Sequence, residues 1–472
     1  MLTVFYDLES TDKLFCGQIL NYSFIEVGDD FEVRSECSGK IHISRLQLPS
    51  PDAILANRTD VLKHQAENAP KERDALGQIW AYLAGIISDR NETLKLIGYN
   101  SSKFDLPFLR TSFIRCGINP YFEGKLVSGD LLFASRKLAA THPEFPRPLG
   151  PDGRLSLRLE SITHALELLA GPQTHESRDD VLLTIRLAKL YRDRFGLDVR
   201  SFAPYEVPLR GTKGDIRFSV TPLYDCTQPL RSELTPMMLL EADHRQALWV
   251  NLKKFASETA LGTSGTHRNA VSWFNRATHS FFCGEGTLSD EIRSLAKDAL
   301  DRLGNVTLEN FFSKSLCDIE LDIYRLDFDA IEALRSSIWD RDSTQLKALA
   351  NKDALTVYNR HRLSHYPGGT AHEAKVSLML REYALYRYSG NMVTSKGGGE
   401  GSLCHDSLSC MMKRIGVLEE TGTASDKELL AALKTFYLES EIFRVAGEDL
   451  MAIPSERLIA AQPSTLGGML SP

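Results

Sequence analysis

The chain has no apolar run approaching the roughly 20 residues that a helical membrane crossing needs, so no membrane protein is expected. Its opening, MLTVFYDLES, lacks a basic stretch followed by a long apolar core, so no secretory signal is expected. Cysteine is sparse: eight, at positions 16, 37, 116, 226, 283, 317, 404 and 410, with no CxxC pair. That scatter argues against a zinc site or a disulfide framework and for reduced thiols in a cytoplasmic compartment. A surplus of positive charge is missing as well. The net charge of −7 advertises no nucleic-acid binder, but it excludes none: a basic groove is a local property, and acidic metal ligands lower the total. No internal repeat is found.

What is present is ordinary globular composition, 43% hydrophobic and 25% charged, enough to bury a sizeable core. A length of 472 residues suggests about two to four domains. Strand-like runs are read at 2–7, 18–27 and 31–42. A helix is read at 69–89, with Pro70 in its first turn, then a strand at 93–100 and a helix at 104–118 with Pro107 near its start. Further helices are read at 157–171 and 178–196, each closed by glycine. Strands followed by βα units imply an α/β mixed sheet flanked by helices. From about 200 to 285 short β-like runs alternate with turns, and from about 286 to 390 the pattern is helical. Residues 390–402 are Gly-rich, a linker composition, and a last helix is read near 426–446.

The segment TVFYDLES ends an apolar strand with Asp7 and Glu9, which share a face because side chains alternate. Two like charges on one face need a cation between them. The pattern is weak alone: it recurs at Asp30/Glu32 and at Asp318/Glu320. Position distinguishes the first pair, since sites gather at strand ends in α/β sheets. In IGYNSSKFDLPF, Asp105 follows a strand and opens a helix; the bland alternative is a carboxylate favoured by the helix dipole. In THESRDDV, His175 precedes a helix with Asp180 five residues on; the bland alternative is a loop histidine and a capping acid, and Asp179 is a rival to Asp180. Taken together, these groups form a hard-oxygen cluster suited to Mg²⁺ or Mn²⁺. Paired ions roughly 3.5–4 Å apart clamp both oxygens of a phosphoryl displacement, and a histidine can take the proton of the attacking water.

This order of motifs resembles the DEDDh exonucleases of the DnaQ-like, ribonuclease-H-like superfamily, and within it the bacterial exonuclease I family. FYDLES, ILANRTDV, IGYNSSKFD, SGDLL, SLRLESI and HESRDDV carry the resemblance over residues 1–195. VTPLYDC, QALWVNLKKF and AVSWFNRATHSFFCG are similar to that family's SH3-like middle domain, and NRHRLSHYPGGT to a segment of its helical domain. The resemblance implies a ribonuclease-H-like exonuclease domain (1–197), an SH3-like domain (198–285), a helical domain (286–390), and a Gly-rich linker with a C-terminal helical segment (391–472).

It also implies Asp7, Glu9, Asp105 and Asp180 as ligands of two Mg²⁺ ions, Mn²⁺ substituting, with His175 as general base. The implied activity is 3′–5′ hydrolysis of single-stranded DNA to 5′-mononucleotides. The alternatives are an exoribonuclease of the same superfamily or a non-cutting subunit that binds nucleic-acid ends.

Ser10, Asn100 and Lys103 are expected to touch substrate. Single strands are held by cations along the backbone and aromatic rings under the bases. A groove is therefore expected from Arg210, Lys213, Arg217, Lys253, Lys254, Arg360 and Arg362, with Trp249, Trp273, Phe274 and Tyr366. The bland alternative for each is a solvated charge or a core ring.

Overall fold

The computed structural model describes residues 2–169, 176–208, 211–224, 232–260, 268–311, 317–349, 351–365, 373–390, 392 and 406–453. His175, Arg210, Tyr366 and the Gly-rich stretch from 393 to 402 lie outside the described residues.

A mixed sheet comes first. Strands β1 (Leu2–Ser10), β2 (Ile19–Val27), β3 (Val33–Lys40), β4 (Leu94–Gly98) and β5 (Leu126–Asp130) lie in the order β3-β2-β1-β4-β5. β1 pairs antiparallel with β2 and parallel with β4, and β5 runs parallel to β4. As the central strand, β1 is apolar on both faces. Helices α1 (Pro51–Ala56), α2 (Val61–Ala66), α3 (Glu72–Arg90), α4 (Asp105–Arg115), α5 (Leu131–Thr141), α6 (Leu159–Ala165) and α7 (Ser177–Phe195) surround the sheet. Val4, Tyr6 and Leu8 pack with α3 and α4, whereas Phe5, Ile25 and Ile97 pack with α5, α6 and α7.

Two boundaries depart from the sequence reading. α3 begins at Glu72, so Pro70 stands outside its first turn; the Pro70 carbonyl instead accepts from His42 N at 2.9 Å, which holds that residue in the approach to the helix. α6 stops at Ala165 rather than Gly171, because Glu167 turns left-handed (φ 58°) and Leu168 N returns to the Thr163 carbonyl at 2.8 Å. α7 ends as expected, with Gly196 left-handed at φ 67°.

The second sheet is antiparallel throughout. Its strands are β6 (Ile216–Pro222), β7 (Ser232–Ala242), β8 (Gln246–Asn251), β9 (Val271–Asn275) and β10 (Phe282–Gly284), in the order β10-β6-β7-β8-β9. Helices α8 (Leu252–Ala260) and α9 (Asp290–Leu303) close one core with Met238, Leu248 and Val250.

Next come α10 (Leu308–Phe311), α11 (Phe328–Ile338), α12 (Thr344–Leu349), α13 (Lys352–His365), α14 (Glu373–Tyr388), α15 (Leu408–Thr421), α16 (Ala424–Glu439) and α17 (Glu441–Met451). The single helix read at 426–446 is therefore two. Ser440 divides them, its hydroxyl accepting from Phe443 N at 3.1 Å to start α17. α14 to α17 share a core with Leu46, Ile54 and Val61, so these helices pack on the first sheet's domain. Among the described residues, no helix is long and apolar enough to cross a membrane.

Candidate metal centre

Asp7 and Glu9 project from the end of β1 toward the side covered by α7, whose first turn carries Asp180. A register shift between Glu9 and Ser10 in the β1–β2 pairing bends the strand just where the carboxylates stand. One oxygen from each of Asp7, Glu9 and Asp180 lies within 4.8 Å of the others. Asp180 is buried, while its neighbour Asp179 is exposed.

Asp105 opens α4 and is 6% exposed. Burial raises its carboxyl to about 7, with Asp130's charge adding and hydrogen bonds from its own amide and that of Leu8 opposing. Asp7 is pushed well above the ordinary carboxylate range by burial, then by Asp105, Glu9 and Asp180. Glu9 rises for the same reasons: burial first, then Asp180, Asp105 and Glu176. These four acids share one field and repel one another. Among the described residues, no cation is paired with Asp7 or Glu9. The donor set is entirely hard carboxylate oxygen, which fits a divalent ion of the Mg²⁺ or Mn²⁺ kind.

The loop between β4 and α4 sets Asp105, and Asp130 holds that loop. Its Oδ1 accepts from Asn100 N (2.8 Å) and Leu132 N (3.0 Å), and its Oδ2 from Ser102 N (3.0 Å) and Ser102 Oγ (2.6 Å). Asn100 is left-handed, φ 58°, a conformation that asparagine tolerates. Asp130 was not singled out from the sequence. Its only signal was its place in SGDLL, at the end of a strand beside β4.

The expected substrate contacts divide. Asn100 and Lys103 sit exposed on the loop between β4 and α4. The Lys103 ammonium is lowered by desolvation and by Arg136, with Asp130 opposing. Ser10 is buried, and its hydroxyl donates to the Asp12 carbonyl at 2.8 Å, so it faces inward. Lys213 donates to the Gly304 carbonyl. Arg362 is exposed beside Tyr358, and Arg217 and Lys254 are exposed. Lys253 is paired with Glu233 at 2.7 Å.

Arg360 does not line a groove: Asp318 and Glu320 hold it at 2.7 and 3.2 Å, leaving its side chain 12% exposed. Trp249 is core, its indole donating to Tyr205 Oη at 3.0 Å, and the Trp273 indole donates to Gln246. Trp273 and Phe274 are half-buried around His279.

The sheet order and the site at the end of β1 define the class of fold: a ribonuclease-H-like domain, followed by an SH3-like sheet and a helical region. Solved structures of exonuclease I share this whole arrangement. The chain superposes on E. coli exonuclease I in complex with a dT13 oligonucleotide with a TM-score of 0.66 and 18% identity, over 93% of this chain and 99% of that one. The zinc-bound form of the E. coli enzyme with single-stranded DNA gives 0.67 and 18%, over 92% and 98%. Exonuclease I from Methylocaldum szegediense gives 0.62 and 17%, over 96% and 100%. At these identities the likeness is one of fold. No family model and no curated protein matches the chain.

Proposed function

We propose that this chain is a divalent-metal-dependent 3′–5′ exonuclease of DEDDh type, hydrolysing single-stranded DNA to 5′-mononucleotides. The observation that carries this reading is the convergence of Asp7, Glu9 and Asp180 within 4.8 Å, with Asp105 in the same field, on a fold shared with exonuclease I.

Asp7, Glu9, Asp105 and Asp180 would hold two Mg²⁺ ions. Bound there, the ions would activate water and offset charge on the attacking and leaving oxygens. His175, one residue before the N-cap of α7, would take the proton of the attacking water. Its role rests on the motif, and its loss is expected to lower turnover by about 10²–10⁴-fold while DNA binding persists. Lys103 and Asn100 would meet the strand near the scissile phosphate. DNA is favoured over RNA because the likeness in fold is to proteins solved with DNA oligonucleotides.

The test uses single-stranded DNA labelled at either end, with Mg²⁺ or with EDTA, and the same sequence in RNA. The reading requires Mg²⁺-dependent loss of the 3′ label first, as mononucleotide, abolished by Asp7→Ala. Faster digestion of RNA would shift the substrate to RNA. Retention on a filter without cleavage in any divalent metal would leave an end-binding protein.

A further inference from the structure

The segment ILANRTDV closes α1 and opens α2, and it supplies none of the four acids. α1 ends on its own backbone: the Asn57 amide donates to the Ala53 carbonyl at 2.9 Å, and the Thr59 amide to that of Ile54 at 3.2 Å. The Asn57 side chain is therefore not spent on capping. Its Nδ2 reaches across to β1 and donates to the Ser10 carbonyl at 2.8 Å. At the other end of α1, the Ser50 amide donates to the Thr11 carbonyl at 2.7 Å. One short helix thus holds the carbonyls of the two residues that follow Glu9.

That grip falls where β1 most needs one. Asp7, Glu9 and Asp180 bring carboxylate oxygens within 4.8 Å of one another, and like charges at that distance repel. The register shift between Glu9 and Ser10 interrupts the regular pairing with β2 at the same point. A donor on the Ser10 carbonyl opposes displacement of the Glu9 backbone. α1 is itself held by helices far along the chain. Arg58, exposed and left-handed at φ 54°, donates to Asp426 and, at 3.1 Å, to Ser425 Oγ, both in the first turn of α16. Arg414 of α15 pairs with Asp52 at 2.7 Å, and Tyr437 of α16 donates to the Pro49 carbonyl. Ile54 of α1 is buried in the core that α15 and α16 share. Direct contacts therefore run from α15 and α16 through α1 to the end of β1.

We propose that Asn57 is a positioning residue of the metal centre: its carboxamide holds the end of β1 so that the Glu9 carboxylate stands beside Asp7 and Asp180, and α15 and α16 keep Asn57 in place through α1. This rests on the nuclease reading only for the reaction that the metal serves. α15 and α16 then help to shape the metal centre, although none of its four acids comes from them.

The test measures Mn²⁺ affinity without substrate, by electron paramagnetic resonance of the free ion, on the full chain. Asp7→Ala first assigns the binding to this centre. Asn57→Leu keeps the size and neutrality of the side chain and removes the donor. It is expected to weaken Mn²⁺ binding about 10-fold, the low end for losing support behind a metal ligand. Arg58→Ala, at an exposed site, cuts the link to α16 without touching β1 and is expected to weaken binding by a smaller factor. Charge alone would do the reverse, since removing a cation favours a bound cation, so a loss there reports geometry. Unchanged Mn²⁺ affinity in either variant, with only the melting temperature lowered, overturns the proposal. An affinity that Asp7→Ala leaves unaltered removes the centre and the proposal together. Mn²⁺ held through Asp7 with no hydrolysis of single-stranded DNA would sink the nuclease reading and leave the positioning role standing.

Discussion

Arg115, the last residue of α4, donates to Glu320 across 3.2 Å and also to Glu72 on α3. Glu320 then accepts from Arg360 of α13 at 3.2 Å, and Arg360 pairs with Asp318 at 2.7 Å, where Tyr386 also donates at 2.7 Å. The helix that begins with Asp105 therefore ends in a buried ionic network reaching into the helical region. Breaking a buried pair leaves an uncompensated charge. Arg115→Ala is expected to destabilise the protein by about 3–5 kcal/mol, measured by urea unfolding. A change under about 1 kcal/mol would mean that water reaches the network.

The same network predicts an acid transition. Burial would raise the Asp318 carboxyl, but hydrogen bonding and charge from Arg360, with Tyr386 and the Glu320 amide, bring it to about 2. An acid depressed in the folded state stabilises fully above its unfolded value of about 3.9 and loses that contribution as pH falls toward the folded value. Stability should therefore drop between about pH 4 and 2, and Asp318→Asn should flatten this part of the curve. Thermal unfolding across that range reads it, and an unaltered curve in the variant refutes it.

These residues also show what the sequence could and could not reveal. Asp7/Glu9, Asp30/Glu32 and Asp318/Glu320 carry one local pattern in three settings. The second lies at a hairpin, with Glu32 accepting from Asp30 N at 3.0 Å and pairing with Arg34. The third is the ionic hub just described. Only the first follows an apolar central strand, and that strand was legible because its apolar content and alternation are local. The partners of Asp318 and Glu320 are far away in sequence, so Arg360 read as a groove cation and proved to be an internal counter-ion. Asp180 was preferred over Asp179 on spacing, and the helix buries Asp180 while exposing Asp179.

The raised acids of the candidate metal centre set a pH dependence of opposite sign. With Asp105 at about 7 in the fold and near 3.9 unfolded, the folded chain binds more protons between those values. Stability without metal therefore falls as pH rises through that window. Metal binding displaces those protons, so its stabilisation grows with pH. Mn²⁺ should raise the melting temperature more at pH 8 than at pH 5, and Asp7→Asn should shrink the difference. Equal shifts at both pH values would show that these carboxyls do not take the metal.

Asp130 is expected to act through the loop it holds. Asp130→Ala removes the acceptor for the Asn100 and Ser102 amides and for the Ser102 hydroxyl, freeing the turn that sets Asp105. Metal-dependent turnover should fall about 10- to 100-fold, in line with other losses of support behind metal ligands. The Mn²⁺ concentration for half-maximal activity should rise with it. A purely structural role would lower the melting temperature and leave that metal requirement where it was.

Lys95 of β4 ties the first sheet to the segment that follows α7. The residue is 7% exposed, and its ammonium donates at 3.0 Å to each of the Val199, Arg200 and Phe202 carbonyls, matching its three protons to three acceptors. Burial lowers it to about 8, with Asp198 pulling it back up. The unfolded chain, with lysine near 10.4, binds the extra proton between those values, so this group makes stability rise with pH from about 8 to about 10. Lys95→Met should abolish that rise. It should also free three carbonyls in the connection between the domains, opening residues 197–203 to limited proteolysis at pH 7. If the variant resists protease there as the wild type does, the connection is held by its other contacts and Lys95 is only a tolerated buried charge.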